Sequence, residues 1–237
     1  MRESTYTPPP EPEQLDVALV TWPNHPSRIE YFRKTVAALR SKLTAPGYRL
    51  HFVCSSETQR DPKHPWFGDE LEEACKEYRV ALVYRDGPAS LGANMNAALR
   101  LCVTELLFLV QDDWLLLDDC NLSPGADYMR DHAEVDYIRY SWPGDLPTFV
   151  DYADGWRRID WAGLWPYGDD PQLRRKSFPD KFGWYIEGGR HGVSEGAMVH
   201  SVSAKRATIL AADKCYFGHC GEVASVIDEY RPRAVSR

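Results

Sequence analysis

Between residues 15 and 113 the chain repeats one pattern: a short apolar run, a polar stop, and a stretch with apolar residues at helical spacing. Val17-Ala18-Leu19-Val20-Thr21 is the first run and ends at Trp22-Pro23. Leu50-His51-Phe52-Val53-Cys54 is the second, closed by Ser55, Ser56 and Glu57; Val80–Tyr84 is the third; Leu106–Val110 is the fourth and ends at Gln111, Asp112 and Asp113. Apolar runs of this length with polar stops predict buried strands. Between them Ile29, Phe32, Val36 and Leu39 share a helical face, and helices are predicted over 69–78 and 93–102, the last after Gly87, Pro88 and Gly92. Strands separated by helices pair in parallel through right-handed crossovers, so the loops that follow the strands lie at one sheet edge, where ligands bind. Thr21, Trp22, Glu57, Arg85, Asp86, Gln111, Asp112 and Asp113 are expected to converge there.

The flanking segments constrain the fold less. Residues 1–14 are proline-rich and polar and read as a flexible tail, because they bury too little apolar surface to offset chain entropy. Beyond residue 120 the alternation fades. We therefore expect one domain over 15–237, regular over 15–120 and less regular over 121–237. A length of 237 residues with 43% hydrophobic composition supports one buried core. A formal charge of −7 gives no overall footprint for nucleic acid. No apolar run reaches the ~20 residues that a bilayer crossing needs, and the start, Met1-Arg2-Glu3 before a proline run, lacks the apolar centre of a secretory signal. A cytoplasmic location is expected. The six cysteines include no CxxC pair and read as reduced thiols; Cys215, His219 and Cys220 are close in sequence, but a structural zinc site would need a second cluster.

Two carboxylates at the end of an apolar strand are costly unless compensated. A divalent cation would offset their repulsion, and Mn²⁺ or Mg²⁺ prefers carboxylate oxygens together with substrate phosphate oxygens. The helix from about Ala93 presents free N–H groups and the positive end of its dipole to the same edge, where they would favour a diphosphate. Gly92 would allow close backbone approach there; Asn94 or Asn96 could equally be a helix cap. Arg85 and Asp86 are placed for base or ribose contacts.

Three blocks resemble the GT-A-fold glycosyltransferases, particularly the family 2-like enzymes: Val17–Thr21 with its following helix, Leu91-Gly92-Ala93-Asn94-Met95-Asn96-Ala97-Ala98-Leu99, and Leu107–Trp114. The resemblance implies a single Rossmann-like nucleotide-sugar-binding domain with a mainly parallel sheet, its nucleotide-sugar-binding half at 15–120 and its acceptor-binding half at 121–237, a nucleotide-diphosphate donor, taken as a UDP-sugar, with Gly92 and Asn96 among the donor-site residues, and Mn²⁺ or Mg²⁺. It also implies Asp113 as the metal ligand, with Asp112 contacting ribose or a metal-bound water. Gln111 stands where the family often has its first acidic residue.

Inverting transfer needs a carboxylate to deprotonate the acceptor hydroxyl. Glu195 is the first candidate, Glu187 the second and Glu222 the third; the first two lie in Trp184–Gly196, whose glycines predict a mobile loop. Trp142, Trp156, Trp161 and Trp165 are candidates for stacking platforms or core anchors. The expected activity is that of a hexosyltransferase-like enzyme acting on a saccharide, protein, small-molecule or modified-DNA-base acceptor. For the last, Arg174-Arg175-Lys176 with Lys181, Arg190, Arg231 and Arg233 would be a phosphate stripe. The rivals are a nucleotidyltransferase, whose Gly-rich basic loop is missing after the first strand, and a non-catalytic nucleotide-sugar-binding module, motivated by Gln111.

Overall fold

A computed structural model describes residues 11–21, 27–57, 67–87, 90–141, 149–160, 167–188 and 193–220. The first half contains β1 (Glu13–Val20), α1 (Arg28–Lys42), β2 (Leu43–Thr44), β3 (Tyr48–Glu57), α2 (Phe67–Glu77), β4 (Ala81–Arg85), α3 (Leu91–Leu101) and β5 (Leu106–Gln111). The second half contains β6 (Trp114–Leu116), β7 (Cys120–Asn121), α4 (Ser123–Asp131), β8 (Val135–Arg139), β9 (Phe149–Ala153), β10 (Trp156–Ile159), β11 (Gln172–Arg175), α5 (Phe178–Phe182), α6 (Val193–Ala204), β12 (Thr208–Ala211) and β13 (Phe217–His219).

Nine strands form one sheet in the order β4-β3-β1-β5-β11-β8-β12-β10-β9. The β4-β3-β1-β5 block is parallel throughout, as helix-separated runs require. β11 is antiparallel to β5 and β8, and β10 is antiparallel to β12 and β9, so all but these two strands share one direction. This is a mixed α/β fold with a large, mainly parallel central sheet of Rossmann-like type.

β5 shows why its sequence is an unbroken apolar run. Leu106, Phe108 and Val110 pack into one core with α1, α2 and α4, while Leu107 and Leu109 pack into a second core with α3, α5 and α6. A strand covered on both faces loses the alternation of a half-exposed one. Two small pairings complete the frame: β2 runs parallel to β7, and β13 runs antiparallel to β6, setting His219 beside Trp114. Among the described residues no helix is long and apolar enough to cross a membrane.

Candidate functional site

The carboxylates that follow β5 are almost fully enclosed, Asp112 being 2% and Asp113 6% exposed. Thr21, at the end of β1, donates from Oγ1 to Asp112 Oδ2 at 2.6 Å. Arg28, the first residue of α1, places Nη1 2.7 Å from both Asp112 Oδ1 and Asp113 Oδ2. Thr35 on the same helix donates to the Asp112 carbonyl at 2.8 Å. The β6–β13 pairing sets His219 Nε2 3.3 Å from Asp113 Oδ2, and the Cys220 N–H donates to the Asp113 carbonyl at 2.8 Å. Asp113 Oδ1 is buried and has no hydrogen-bond partner among the described residues.

Burial penalises charge on both groups, with different outcomes. For Asp113 it is outweighed by the hydrogen bond from His219 and the charge of Arg28, and the carboxyl lies below its usual range. For Asp112 burial prevails, reinforced by neighbouring Asp113 against Arg28, and the carboxyl lies above it. Arg28 itself is held charged by the two aspartates despite its burial. The sequence carried one signal for it: a cation in the first turn of a helix opposes the dipole, so it needs an acidic partner.

A second set of groups continues the same edge. Asn94 in α3 donates from Nδ2 to the Thr21 carbonyl at 2.8 Å and to Glu57 Oε2 at 2.7 Å, and its Oδ1 accepts from Arg85 Nε at 2.6 Å. Arg85 Nη2 stands 4.0 Å from Glu57 Oε2. Burial raises the Glu57 carboxyl above the usual range, and its Oε1 is enclosed without a partner. Asp86 is exposed, and its carbonyl accepts from Arg85 Nη1. The network therefore runs from Arg85 through Asn94, Glu57 and Thr21 to Asp112, Arg28, Asp113 and His219. Asn94 joins its two ends; sequence reasoning had read it only as a possible cap.

The N-terminus of α3 departs from expectation. Ser90 caps it, accepting from the Ala93 N–H at 3.3 Å, and the same hydroxyl accepts from the Gly188 N–H at 3.0 Å. The Ile186 carbonyl packs over Gly92, where an added Cβ would clash with it and stand 2.7 Å from Ser194 Oγ. Asn96 accepts from the Tyr185 N–H and donates to the Tyr185 carbonyl and to Glu187 Oε1. Gly92 and Asn96 thus seat residues 185–188 on the helix, and the chain there occupies the place expected for a diphosphate. Gly92→Ala is expected to cost about 1–3 kcal/mol, as overpacking does, lowering the melting temperature by about 2–4 °C per kcal/mol; an unchanged melting curve would contradict the close packing.

In the second half of the chain, Glu195 is half-buried and is the third residue of α6, not part of a glycine loop. Burial and the nearby Asp169 carboxylate raise its carboxyl to about 7, against a hydrogen bond from the Asp169 backbone and the charge of Arg139. Asp169 accepts from the hydroxyls of Tyr167 at 2.6 Å and Tyr185 at 2.9 Å. Glu187 is exposed and lies 3.7 Å from Arg100. Trp22, Glu222, Trp142, Trp161 and Trp165 lie outside the described residues. Trp156 packs against Tyr128 and Tyr140 at the edge of the core, which favours its anchoring role.

His219 and Cys220 turn to Asp113, and among the described residues no three His, Cys, Asp or Glu side chains form a metal cluster. The basic stripe is only partly a surface: Arg174 is fully buried with Nη1 3.1 Å from the Tyr185 hydroxyl and Arg175 donates to the carbonyls of Val135, Met129 and His132, whereas Lys176 and Lys181 are exposed, the latter paired with Asp136. Arg190, Arg231 and Arg233 lie outside the described residues.

No family model and no curated protein matches the chain. Solved structures do. A crystal structure of residues 1–349 of S. aureus TarS in complex with UDP-GlcNAc aligns over 89% of this chain and 61% of its own, with TM-score 0.54 and 13% identity. The chain shares the TarS fold. The TarS 1–349 complex with UDP gives TM-score 0.54 at 13% identity over 86% of this chain, and a longer TarS structure gives 0.56 at 13% identity. The chain spans about three-fifths of the 1–349 TarS structures, 59% and 61% of their length, and 36% of the longer one.

Proposed function

We propose that the chain is a glycosyltransferase that takes a sugar from a UDP-linked donor, with Mn²⁺ or Mg²⁺ bound at Asp113, and passes it with inversion to an acceptor hydroxyl. One observation carries the reading: a single hydrogen-bonded network joins the ends of β1, β3, β4 and β5 and leaves two buried carboxylate oxygens, Glu57 Oε1 and Asp113 Oδ1, without partners. Unpaired buried acceptors are costly unless a ligand pairs them. The fold shared with TarS, crystallised with UDP-GlcNAc and with UDP, supports the donor class.

Glu57 Oε1 offers an acceptor to the N3–H of uracil, a donor that neutral cytosine lacks, with Arg85 beside it. Asp113, with His219 at 3.3 Å, fits a divalent cation of the kind held by one or two protein ligands and completed by phosphate oxygens. Bound there, the cation would supply charge neutralisation to a diphosphate leaving group. Glu195 takes the proton of the acceptor hydroxyl. The hydroxyl oxygen then forms the new bond to the anomeric carbon as the bond to the diphosphate breaks, releasing UDP.

The test is thermal stabilisation across nucleotides with and without Mn²⁺, since a ligand that binds only the folded state raises the melting temperature. A shift with UDP that requires the metal is expected, together with turnover of a UDP-sugar. Binding without turnover would point to a non-catalytic binding module, and no shift with any nucleotide would end the proposal. Replacing Glu57 by Gln is expected to weaken UDP binding by about tenfold and CDP binding much less, since one hydrogen bond to a charged group contributes about 1.5–3 kcal/mol. Equal losses for both nucleotides would remove Glu57 from base recognition.

A further inference from the structure

Arg28 stands where its own helix disfavours a cation. It is the first residue of α1, against the positive end of the helix dipole, and it is buried. Two anchors hold α1 over the aspartates. Ile29, Phe32, Val36 and Leu39 pack into the first core, and Thr35, two turns beyond Arg28, donates to the Asp112 carbonyl at 2.8 Å. Residues seven apart share a helix face, so one face of α1 brings both groups to the aspartates.

Most of the oxygens of the two carboxylates are thereby engaged. Asp112 Oδ2 accepts from Thr21 Oγ1 at 2.6 Å, and Asp112 Oδ1 accepts from Arg28 Nη1 at 2.7 Å. Asp113 Oδ2 accepts from the same Nη1 at 2.7 Å and has His219 Nε2 at 3.3 Å. Among the described residues only Asp113 Oδ1 is left without a partner. The protein thus offers a cation one carboxylate oxygen, on a group whose other oxygen already carries a guanidinium. A divalent cation held so sparingly takes its remaining oxygens from phosphates and water. Like charges that share one buried carboxylate also repel more strongly than they would in water.

We propose that Arg28 makes cation binding depend on the donor: by bridging Asp112 and Asp113 it confines a divalent cation to Asp113 Oδ1, and so keeps the protein from holding Mn²⁺ or Mg²⁺ until a nucleotide diphosphate supplies further oxygens and negative charge. The nucleotide's part in this rests on the transferase reading. Coupling between two ligands is reciprocal, so the factor by which UDP tightens the cation is also the factor by which the cation tightens UDP. An uncharged residue at position 28 would release Asp112 Oδ1 and Asp113 Oδ2 and remove the repulsion, and the cation would then bind the nucleotide-free protein. A merely structural Arg28 predicts the opposite, a weaker site, because its loss would loosen the aspartates.

The test is Mn²⁺ binding to the full chain without nucleotide, at one fixed pH, read from the electron paramagnetic resonance signal of the free ion in the wild type and in Arg28→Gln. The variant is expected to bind Mn²⁺ tighter by about tenfold or more, and the gain is expected to vanish when Asp113→Asn is added to it. Equal or weaker binding by Arg28→Gln would overturn the proposal, as would a gain that survives the loss of Asp113. Should Arg28→Gln not fold, the wild type decides alone: UDP is expected to tighten Mn²⁺ by about tenfold or more, and Mn²⁺ held as tightly without UDP as with it would overturn the proposal. The transferase reading fails separately. A wild type that does not bind UDP together with Mn²⁺ ends that reading, whereas one that binds the pair while Arg28→Gln gains nothing ends only the role of Arg28.

Discussion

Asp113→Asn is expected to abolish metal-dependent UDP binding, with a loss of affinity of about 100-fold or more in the presence of Mn²⁺. The substitution preserves shape and removes the charge that would hold the cation. Arg28 keeps Asp112 as a partner, so the fold should survive, with a melting temperature close to that of the wild type. Calorimetric titration of UDP with and without Mn²⁺ reads the effect, and chelation of the wild-type enzyme should match it by stopping transfer. Unchanged affinity with metal present would refute Asp113 as the ligand.

Arg28 makes this prediction sharper. Two adjacent buried carboxylates need positive charge, and from sequence a divalent cation was the natural candidate. In the structure a guanidinium already lies between them, 2.7 Å from each. Metal binding therefore cannot be inferred from charge repulsion alone. The stronger ground is Asp113 Oδ1, buried with no partner, and His219 beside the same carboxylate. Neither could be read from the sequence, because His219 reaches the site only through the pairing of β13 with β6, a contact between segments about a hundred residues apart.

The first half of the fold was legible because its signals are local. Apolar runs with polar stops mark β1, β3, β4 and β5, and the right-handed crossover rule then brings Thr21, Glu57, Arg85 and the aspartates to one edge. The other half is built from long-range pairings of short strands. Gln172-Leu173-Arg174-Arg175 reads as a polar, basic stretch, yet it is an antiparallel strand inserted between β5 and β8. Only Leu173 announces a buried face; Arg174 is buried on the other because Tyr185 receives its guanidinium and Phe178 lies under it at 3.8 Å. Gly92 and Asn96 were expected beside a phosphate, whereas in the structure they pack against residues 185–188, about ninety positions away, a contact that no local signal announces.

Glu195→Gln is expected to lower kcat by about 10²–10⁴-fold, the range for loss of a general base, with little change in UDP affinity. The expectation rests on the surroundings of Glu195 more than on its place in the sequence. Two arginines, Arg139 and Arg174, share this buried layer with three carboxylates, Asp169, Asp170 and Glu195. Among the described residues, ionised Glu195 brings a third carboxylate beside two arginines, and its protonation relieves that excess. Its carboxyl at about 7 follows from burial and from Asp169, and a base with that affinity is half ionised near neutrality, ready to receive the acceptor proton. Turnover should therefore rise with pH through about 7 and level off above it. Stability should run the other way: a carboxyl raised in the folded state binds more protons there than in the unfolded chain, so its contribution is present below the ordinary glutamate value of 4.5 and is lost as pH rises through about 7. Glu195→Gln should remove both the acid limb of turnover and this part of the melting profile. Near-normal turnover in the variant would transfer the role to Glu187 or Glu222, and a wild-type rate independent of pH between 5 and 9 would contradict a base of this affinity, since a tenfold change per pH unit is expected below its midpoint.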